Sequence, residues 1–282
     1  MIIGLSEALA YADKHRIALA AVNTPFFEGL IATIAAAEKS GVPVILQHAQ
    51  GHESVMAIDD IGPAMVALAT RSDAAFVLHV DHGQDIDYIA RGLDLGFNSA
   101  MIDGSLLPFE ENVARTAEVV RLATARGFGV EGELGVMSGN ENGDPDQGVA
   151  DEELYTDPEQ AREFVARTGV TALAASFGTV HGVYHRDPSI RYPLIDELRA
   201  AIGVPLVMHG GSGLSPEEYR LAIEHGVRKI NYYTYAAKTA LDAARTEAAK
   251  PDVILFPRVA AAATRAVEAD VSAFIRSLST QG

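Results

Sequence analysis

The sequence predicts an α/β fold of the (β/α)8, or TIM-barrel, type: one domain over residues 1–282, with a short N-terminal helix and a C-terminal helical tail. Three observations predict it. Apolar runs of strand length alternate with amphipathic runs of helix length, and the alternation occurs eight times. Amide or ionisable side chains cluster at the C-terminal end of strand after strand: Asn23, Gln47 and His48, Asp81 and His82, Asp103, Glu131 and Glu133, His181, His209, Asn231. The chain of 282 residues is long enough for one such barrel. An open doubly wound sheet is the competing architecture, but eight strands let a sheet close on itself.

Taken in order, residues 5–13 read as a leading helix and strand one lies near 17–23. The helix after it is expected to open at Thr24-Pro25, with proline at its first position, and to stop at Gly41. Strand two is expected over 42–48, with a helix over about 53–70, and strand three at Phe76-Val77-Leu78-His79-Val80-Asp81-His82-Gly83, with a helix over about 85–95. Strand four, 99–103, is followed by a helix from about 108 to 125, and strand five is 129–134. A polar, glycine-rich segment from 135 to 156 is long for a loop inside a compact domain, which marks it as functional or disordered. The next helix opens at Asp157-Pro158 and closes at Gly169; strand six is 172–178, and a second long loop spans 179–191. A helix ends near Gly203, and strand seven is 205–209. The Ser215-Pro216-Glu217-Glu218 capping box opens a helix that ends at Gly226; strand eight is 229–234, with a helix over 235–249 and a tail helix over 259–278.

Composition narrows the function classes. Hydrophobic content of 48% in short, regularly spaced runs fits a soluble globular protein, with no run near the length of a membrane span. The N-terminus does not resemble a signal peptide, and a cytoplasmic location is expected. No cysteine is present, which excludes disulfides, thiolate metal sites and cysteine nucleophiles. A net charge of −16 disfavours nucleic acid as a partner, while a local site can still bind a small anion.

Three strands deliver a histidine beside a glycine. Strand three ends in His79-Val80-Asp81-His82-Gly83, where alternation puts His79 and Asp81 on one face. Strand six runs into Thr179-Val180-His181-Gly182, and strand seven into His209-Gly210-Gly211-Ser212-Gly213. Any one pair could be a structural hydrogen bond. Three together match a catalytic zinc ion, which takes three protein ligands and keeps one position open. The glycines after strand seven expose backbone N–H groups, in the place where barrels often bind phosphate; tight βα turns would also use them.

With Met101-Ile102-Asp103-Gly104-Ser105, Glu131-Gly132-Glu133-Leu134-Gly135, Val183-Tyr184 and Lys229-Ile230-Asn231 added in this order, the chain resembles the class II, metal-dependent ketose-bisphosphate aldolases over nearly its whole length, with the tagatose-bisphosphate branch nearest. The resemblance implies Zn2+ on His82, His181 and His209, and Asp81 as the acid/base at the cleaved carbinol. It implies a glutamate in the loop after strand five, Glu141 by spacing from Glu133, as the base at dihydroxyacetone phosphate. Asp103 and Glu133 match positions that hold a second cation, monovalent or divalent, in some members. Asn23, Gly182, Gly210, Gly211, Ser212, Asn231, Tyr233 and Thr234 match substrate or phosphate contacts. Arg258 resembles an arginine that reaches the far phosphate, in some members across a subunit interface, so a homodimer or homotetramer is implied.

The residue types suit that chemistry. Cleavage leaves a carbanion beside a carbonyl, which a Lewis-acidic metal stabilises while carboxylates move the protons. The alternative, a lysine Schiff base, needs a lysine at the site; Lys14, Lys39, Lys229, Lys238 and Lys250 all fall away from strand C-terminal ends. Three departures from the family pattern stand out: His185 and Arg186 follow Tyr184 where many members have lysine, Tyr233 stands where fructose-specific members have aspartate, and the acidic pair of the strand-five loop is thinned to Asn140-Glu141-Asn142. Of the other histidines, His15 and His225 read as surface residues, His48 and His52 as packing or supporting groups, and His79 as a partner of a ligand. The competing functions are an aldolase for another ketose phosphate or a deoxy-keto sugar acid phosphate, a metal hydrolase, and a non-catalytic sugar-phosphate-binding subunit.

Overall fold

In the computed structural model, eight parallel strands close into a barrel in sequence order. The structure describes residues 1–136, 155–182, 184 and 189–279. The strands are β1 Leu19–Asn23, β2 Val44–Ala49, β3 Phe76–Gly83, β4 Ser99–Ile102, β5 Gly129–Leu134, β6 Ala172–Ala175, β7 Leu206–Met208 and β8 Val227–Tyr232. The helices are α1 Leu5–His15, α2 Phe27–Ser40, α3 Ile58–Arg71, α4 Ile86–Leu95, α5 Phe109–Thr124, α6 Pro158–Thr168, α7 Tyr192–Ile202, α8 Pro216–His225, α9 Thr234–Ala248 and α10 Phe256–Ser279.

Two apolar clusters follow from the strand period of two. Residues such as Leu46, Phe76, Leu78, Val80, Leu173 and Met208 face outward and pack under the helices. The alternate set, Leu19, Ala21, Ile45, Val77, Ala172, Ala174 and Val207, joins Leu5, Ala8, Leu9 and Ala12 of α1. The leading helix therefore plugs the lower end of the barrel. One step further along the same faces the inward residues turn polar: Asn23, Gln47, His79, Asp81, Glu131, Lys229 and Asn231, all buried. That change from an apolar floor to a polar upper layer positions the site.

Some expected boundaries move. The Asp157 side chain accepts from Gln160 N at 2.9 Å, and the Ser215–Glu218 capping box is complete, so both signals act as expected. The Thr24-Pro25 signal does not: α2 starts at Phe27, because Thr24 N continues the β1–β2 ladder by donating to the Gln47 carbonyl of the adjacent strand at 3.1 Å. Strand eight ends two residues early. Tyr233 has φ −151° and ψ −61° and gives its N–H to Ser212 Oγ at 2.9 Å, so Thr234 opens α9.

Candidate active site

β3 supplies the centre. Regular alternation would turn His82 away from Asp81, but the β3–β4 register shifts between Val80 and Gly83, and His82 takes a left-handed φ of 42°. This bulge re-aims its ring into the barrel mouth. There His82 Nδ1–H donates to Asp103 Oδ2 at 2.8 Å, just past the end of β4. His209, one residue beyond β7, donates from Nε2 to Glu131 Oε1 at 2.7 Å. Each carboxylate holds the proton on the nitrogen it faces, and the other ring nitrogen of each histidine points into the cluster. Those two nitrogens, His82 Nε2 and His209 Nδ1, face each other at 2.8 Å. His181, in the loop after β6, places its ring 5.0 Å from that of His82 and 5.7 Å from that of His209, and its Nε2 is buried with no hydrogen-bond partner among the described residues.

One ligand atom from each of the three histidines lies within 4.8 Å of the others. Ring nitrogens converging at that range need a proton or a metal cation between them, because bare lone pairs would repel. Three neutral imidazoles with no thiolate suit a divalent ion of borderline softness such as zinc. The surrounding charge agrees. Burial, with Asp103 close by, lifts the Glu133 carboxyl well above the usual carboxylate range. Burial opposes a charged His82, yet Asp81, Asp103 and Glu133 raise its pKa well above an ordinary histidine's, so without a metal ion this ring carries a proton. A bound cation takes that proton's place. His82, Asp103 and Glu133 also form a second candidate ligand group, sharing His82 with the first.

Asp81 stands beside the three histidines and is held by amides. Asn23 Nδ2 and Gln47 Nε2 donate to its Oδ2 at 2.8 and 3.0 Å, and Asn231 Nδ2 to Oδ1 at 3.3 Å. Burial would raise its pKa, but His82, Lys229, His209 and His79 around it hold the carboxyl well below the usual range. Beneath lies a partnership that no local motif announces. Lys229 Nζ sits 2.9 Å from Glu131 Oε2 and donates to Asn231 Oδ1 at 2.8 Å, with lysine and glutamate both wholly buried. Lys229 is the third residue of β8, and its ammonium is committed to this pair. His79 is not among the three converging histidines: Ser99 Oγ–H donates to its Nδ1 at 2.8 Å, and its Nε2 is 3.8 Å from Glu131.

The glycine-rich turn after β7 is fixed from both sides. Tyr184 donates its hydroxyl to the Gly210 carbonyl at 2.8 Å and accepts from Val180 N at 3.2 Å. Gly210 has φ 64°, and a Cβ there would come within 2.3 Å of the Val180 carbonyl oxygen, so glycine is required. Gly182 lies beside His181, and Ser212 ties Gly211 and its neighbours to Tyr233 at the end of β8. The N-terminus of α8 is occupied by its own capping box, so it offers no anion site. α9 differs: its N-cap is Tyr233, with no side-chain cap on the N–H groups that begin at Thr234. Such a helix start, next to a glycine turn, is chemically suited to a phosphate.

Two expected residues fall elsewhere. Arg258 is in the first turn of α10, where its Nε and Nη1 donate to Glu247 and Asp252 at 2.7 and 2.8 Å, not to a group of the site. Glu141 lies outside the described residues.

Comparison with known proteins places these residues in context. The profile of the family "Fructose-bisphosphate aldolase class-II" matches residues 4–282. A fructose-bisphosphate aldolase of Geobacillus stearothermophilus is 34% identical, covering 100% of this chain and 98% of its own. A probable fructose-bisphosphate aldolase of Bacillus subtilis is 37% identical over 89% of this chain and 88% of its own. Among solved structures, the YdjI aldolase of Escherichia coli K12 superimposes with a TM-score of 0.88 at 32% identity, covering 100% of this chain and 99% of that one.

Proposed function

The chain belongs to the class II fructose-bisphosphate aldolases, zinc-dependent lyases that cleave a ketose bisphosphate to dihydroxyacetone phosphate and an aldose phosphate, and we propose how its residues divide that work and which sugar it takes. His82, His181 and His209 hold the metal. Asp81 accepts the C4 hydroxyl proton as the C3–C4 bond breaks, and Glu141 handles the C–H proton of dihydroxyacetone phosphate. The metal supplies Lewis-acid stabilisation of the charge that develops on the substrate oxygens. Gly182, Gly210, Gly211, Ser212, Asn231 and Thr234 bind the dihydroxyacetone phosphate half, and Asn23 and Tyr233 border the aldehyde half. Asp103 and Glu133 are available to a second cation.

One observation carries this assignment of roles. Ring nitrogens of His82 and His209 converge at 2.8 Å, with His181 beside them, while Asp81 is bound by three amide groups and is no member of the three-histidine group. A carboxylate fixed beside the three-histidine group, and no part of it, is placed to take a proton from a hydroxyl bound there.

For the sugar, the tagatose branch, or a site indifferent to C4 configuration, is the reading Tyr233 supports: a neutral phenol stands where a carboxylate would select one epimer. The assembly is a homodimer or homotetramer in which Arg258 serves a neighbouring subunit. Ile254, Leu255 and Phe256, next to that arginine, are 86%, 68% and 74% exposed, which favours burial against another copy. The unit is a single domain, and its location is cytoplasmic; no helix among the described residues is long and apolar enough to cross a membrane. The test is release of triose phosphate from ketose 1,6-bisphosphates with and without EDTA, beside a generic esterase assay. Activity abolished by EDTA and restored by Zn2+ or Co2+ is expected; full activity in a verified metal-free preparation overturns the assignment.

A further inference from the structure

His52 belongs to none of the groups described so far. It closes the short 3-10 turn Gln50–His52 after β2, at the barrel mouth. The ring is wholly buried, and among the described residues neither Nδ1 nor Nε2 has a hydrogen-bond partner. A buried polar group left unpaired is costly, and two on one ring call for an explanation. His48, four residues earlier, shows the contrast: the Tyr88 hydroxyl donates to its Nδ1 and its Nε2–H donates to the Met56 carbonyl, both at 2.8 Å. His48 is the structural histidine of this loop, and His52 is not.

The ring is also held in place. Gln50 Oε1 accepts from Gln84 N and Asp85 N at 2.7 and 3.1 Å, and Gln50 Nε2 donates to Asp85 Oδ2 at 2.7 Å. The turn is thus stapled to the segment that follows His82. One side of the His52 ring lies against Tyr233, centroids 4.4 Å apart, and Asp81 and His82 are the active-site charges that act on it. Asp81 and His209 are as closed to solvent as His52, so a mouth that admits substrate to them can admit it to His52.

We infer that His52 is a specificity residue: its imidazole hydrogen-bonds a hydroxyl of the aldehyde half of the substrate, with Tyr233 as the neighbouring wall. This rests on the aldolase reading above. The half follows from position. β2 and β3 lie across the barrel from the β7 turn assigned to the phosphate of dihydroxyacetone phosphate, and Asp81 acts on the C4 oxygen. The ligand type follows from chemistry. Burial, helped by the nearby His48, lowers the His52 pKa to about 4, so the ring is neutral and presents one donor and one acceptor. A hydroxyl, which also donates and accepts, matches it; a phosphate, which accepts only, does not.

The test separates the two substrate halves. Cleavage needs the aldehyde half, whereas exchange of the dihydroxyacetone phosphate C–H proton with D2O, followed by NMR, does not. His52→Phe is expected to lower kcat/KM for cleavage about tenfold or more while exchange stays within about twofold of wild type. His52→Gln, which keeps a donor and an acceptor, should recover most of the cleavage. If Phe is too large for the protein to fold, His52→Leu takes its place. Unchanged cleavage in the apolar variant, or an equal loss of cleavage and exchange, overturns the proposal. A wild-type chain inert in both assays refutes the aldolase reading and the role of His52 with it.

Discussion

The polar layer inside the barrel and the loop wall beside it follow opposite rules. Inside, on the strands or one residue past them, the groups around the candidate metal site hold one another: Asp81 has three amides, His209 has Glu131, and Glu131 has Lys229, itself bound to Asn231. On the wall, carried by a turn, the His52 imidazole has no hydrogen-bond partner among the described residues and rests against a tyrosine ring. Strand-borne groups cannot move without breaking the barrel, which suits steps common to every substrate. The turn after β2 can change without cost to the sheet, which suits the choice among substrates.

The largest effect should come from breaking the inner layer at a proposed metal ligand. His209→Ala removes one converging lone pair and the partner of Glu131. Metal content by elemental analysis should fall with activity, the latter by roughly 10^3-fold or more. A variant that keeps its metal would show that His209 only supports the site.

Glu131→Gln probes the same layer one step back. It weakens the bond that sets the His209 tautomer, and metal affinity or activity should fall about 10–100-fold. It also leaves Lys229 buried without its counter-charge, which costs on the order of 3–5 kcal/mol of stability. The double variant Glu131→Gln, Lys229→Met should recover stability but not activity, as read by denaturant titration and initial rates. Recovery of both would mean that the pair is purely structural.

These two residues also show where a single sequence stops being informative. Eight alternations sufficed for the barrel, and the three His-Gly strand ends do meet within 4.8 Å. Glu131 and Lys229 lie on β5 and β8, which are not neighbours in the sheet, so only closure of the barrel brings them together. Alternation along β3 could not foresee that a bulge and a left-handed His82 would turn that ring inward. His52 read as a packing residue because a buried ring and a substrate-facing ring have the same sequence; its orphaned nitrogens are a property of the fold. Tyr233 read as part of a strand because an aromatic run favours that state, and the Ser212 hydroxyl that takes its N–H comes from a distant turn.

On the loop wall the expected effects are smaller. With Tyr233 in place of a carboxylate, kcat/KM for fructose and tagatose 1,6-bisphosphates should differ by less than a hundredfold, roughly 2.7 kcal/mol of transition-state discrimination. A preference for the fructose compound beyond that would mean that another group reads the C4 hydroxyl.

The smallest effect concerns stability. Burial lowers the pKa of His52 and of His79 from 6.5 to about 4, so the folded chain binds fewer protons than the unfolded one between those values. Stability of the metal-free protein should therefore fall as pH drops through that window and level off below it. Thermal midpoints at pH 7.5 and pH 5 should differ less in His52→Gln than in wild type. An identical difference would mean that His52 is not held neutral.

Asp81 decides whether the two halves of the mouth do what their construction suggests, because it is the group proposed to turn a metal site into an aldolase. The direct measurement is Asp81→Ala, assayed in one preparation for ketose bisphosphate cleavage and for metal per chain. Cleavage should vanish while metal content stays near wild type, since the carboxylate is held by Asn23, Gln47 and Asn231 and stands outside the histidine triad. A variant that loses its metal together with its activity would contradict this, and would make Asp81 a ligand.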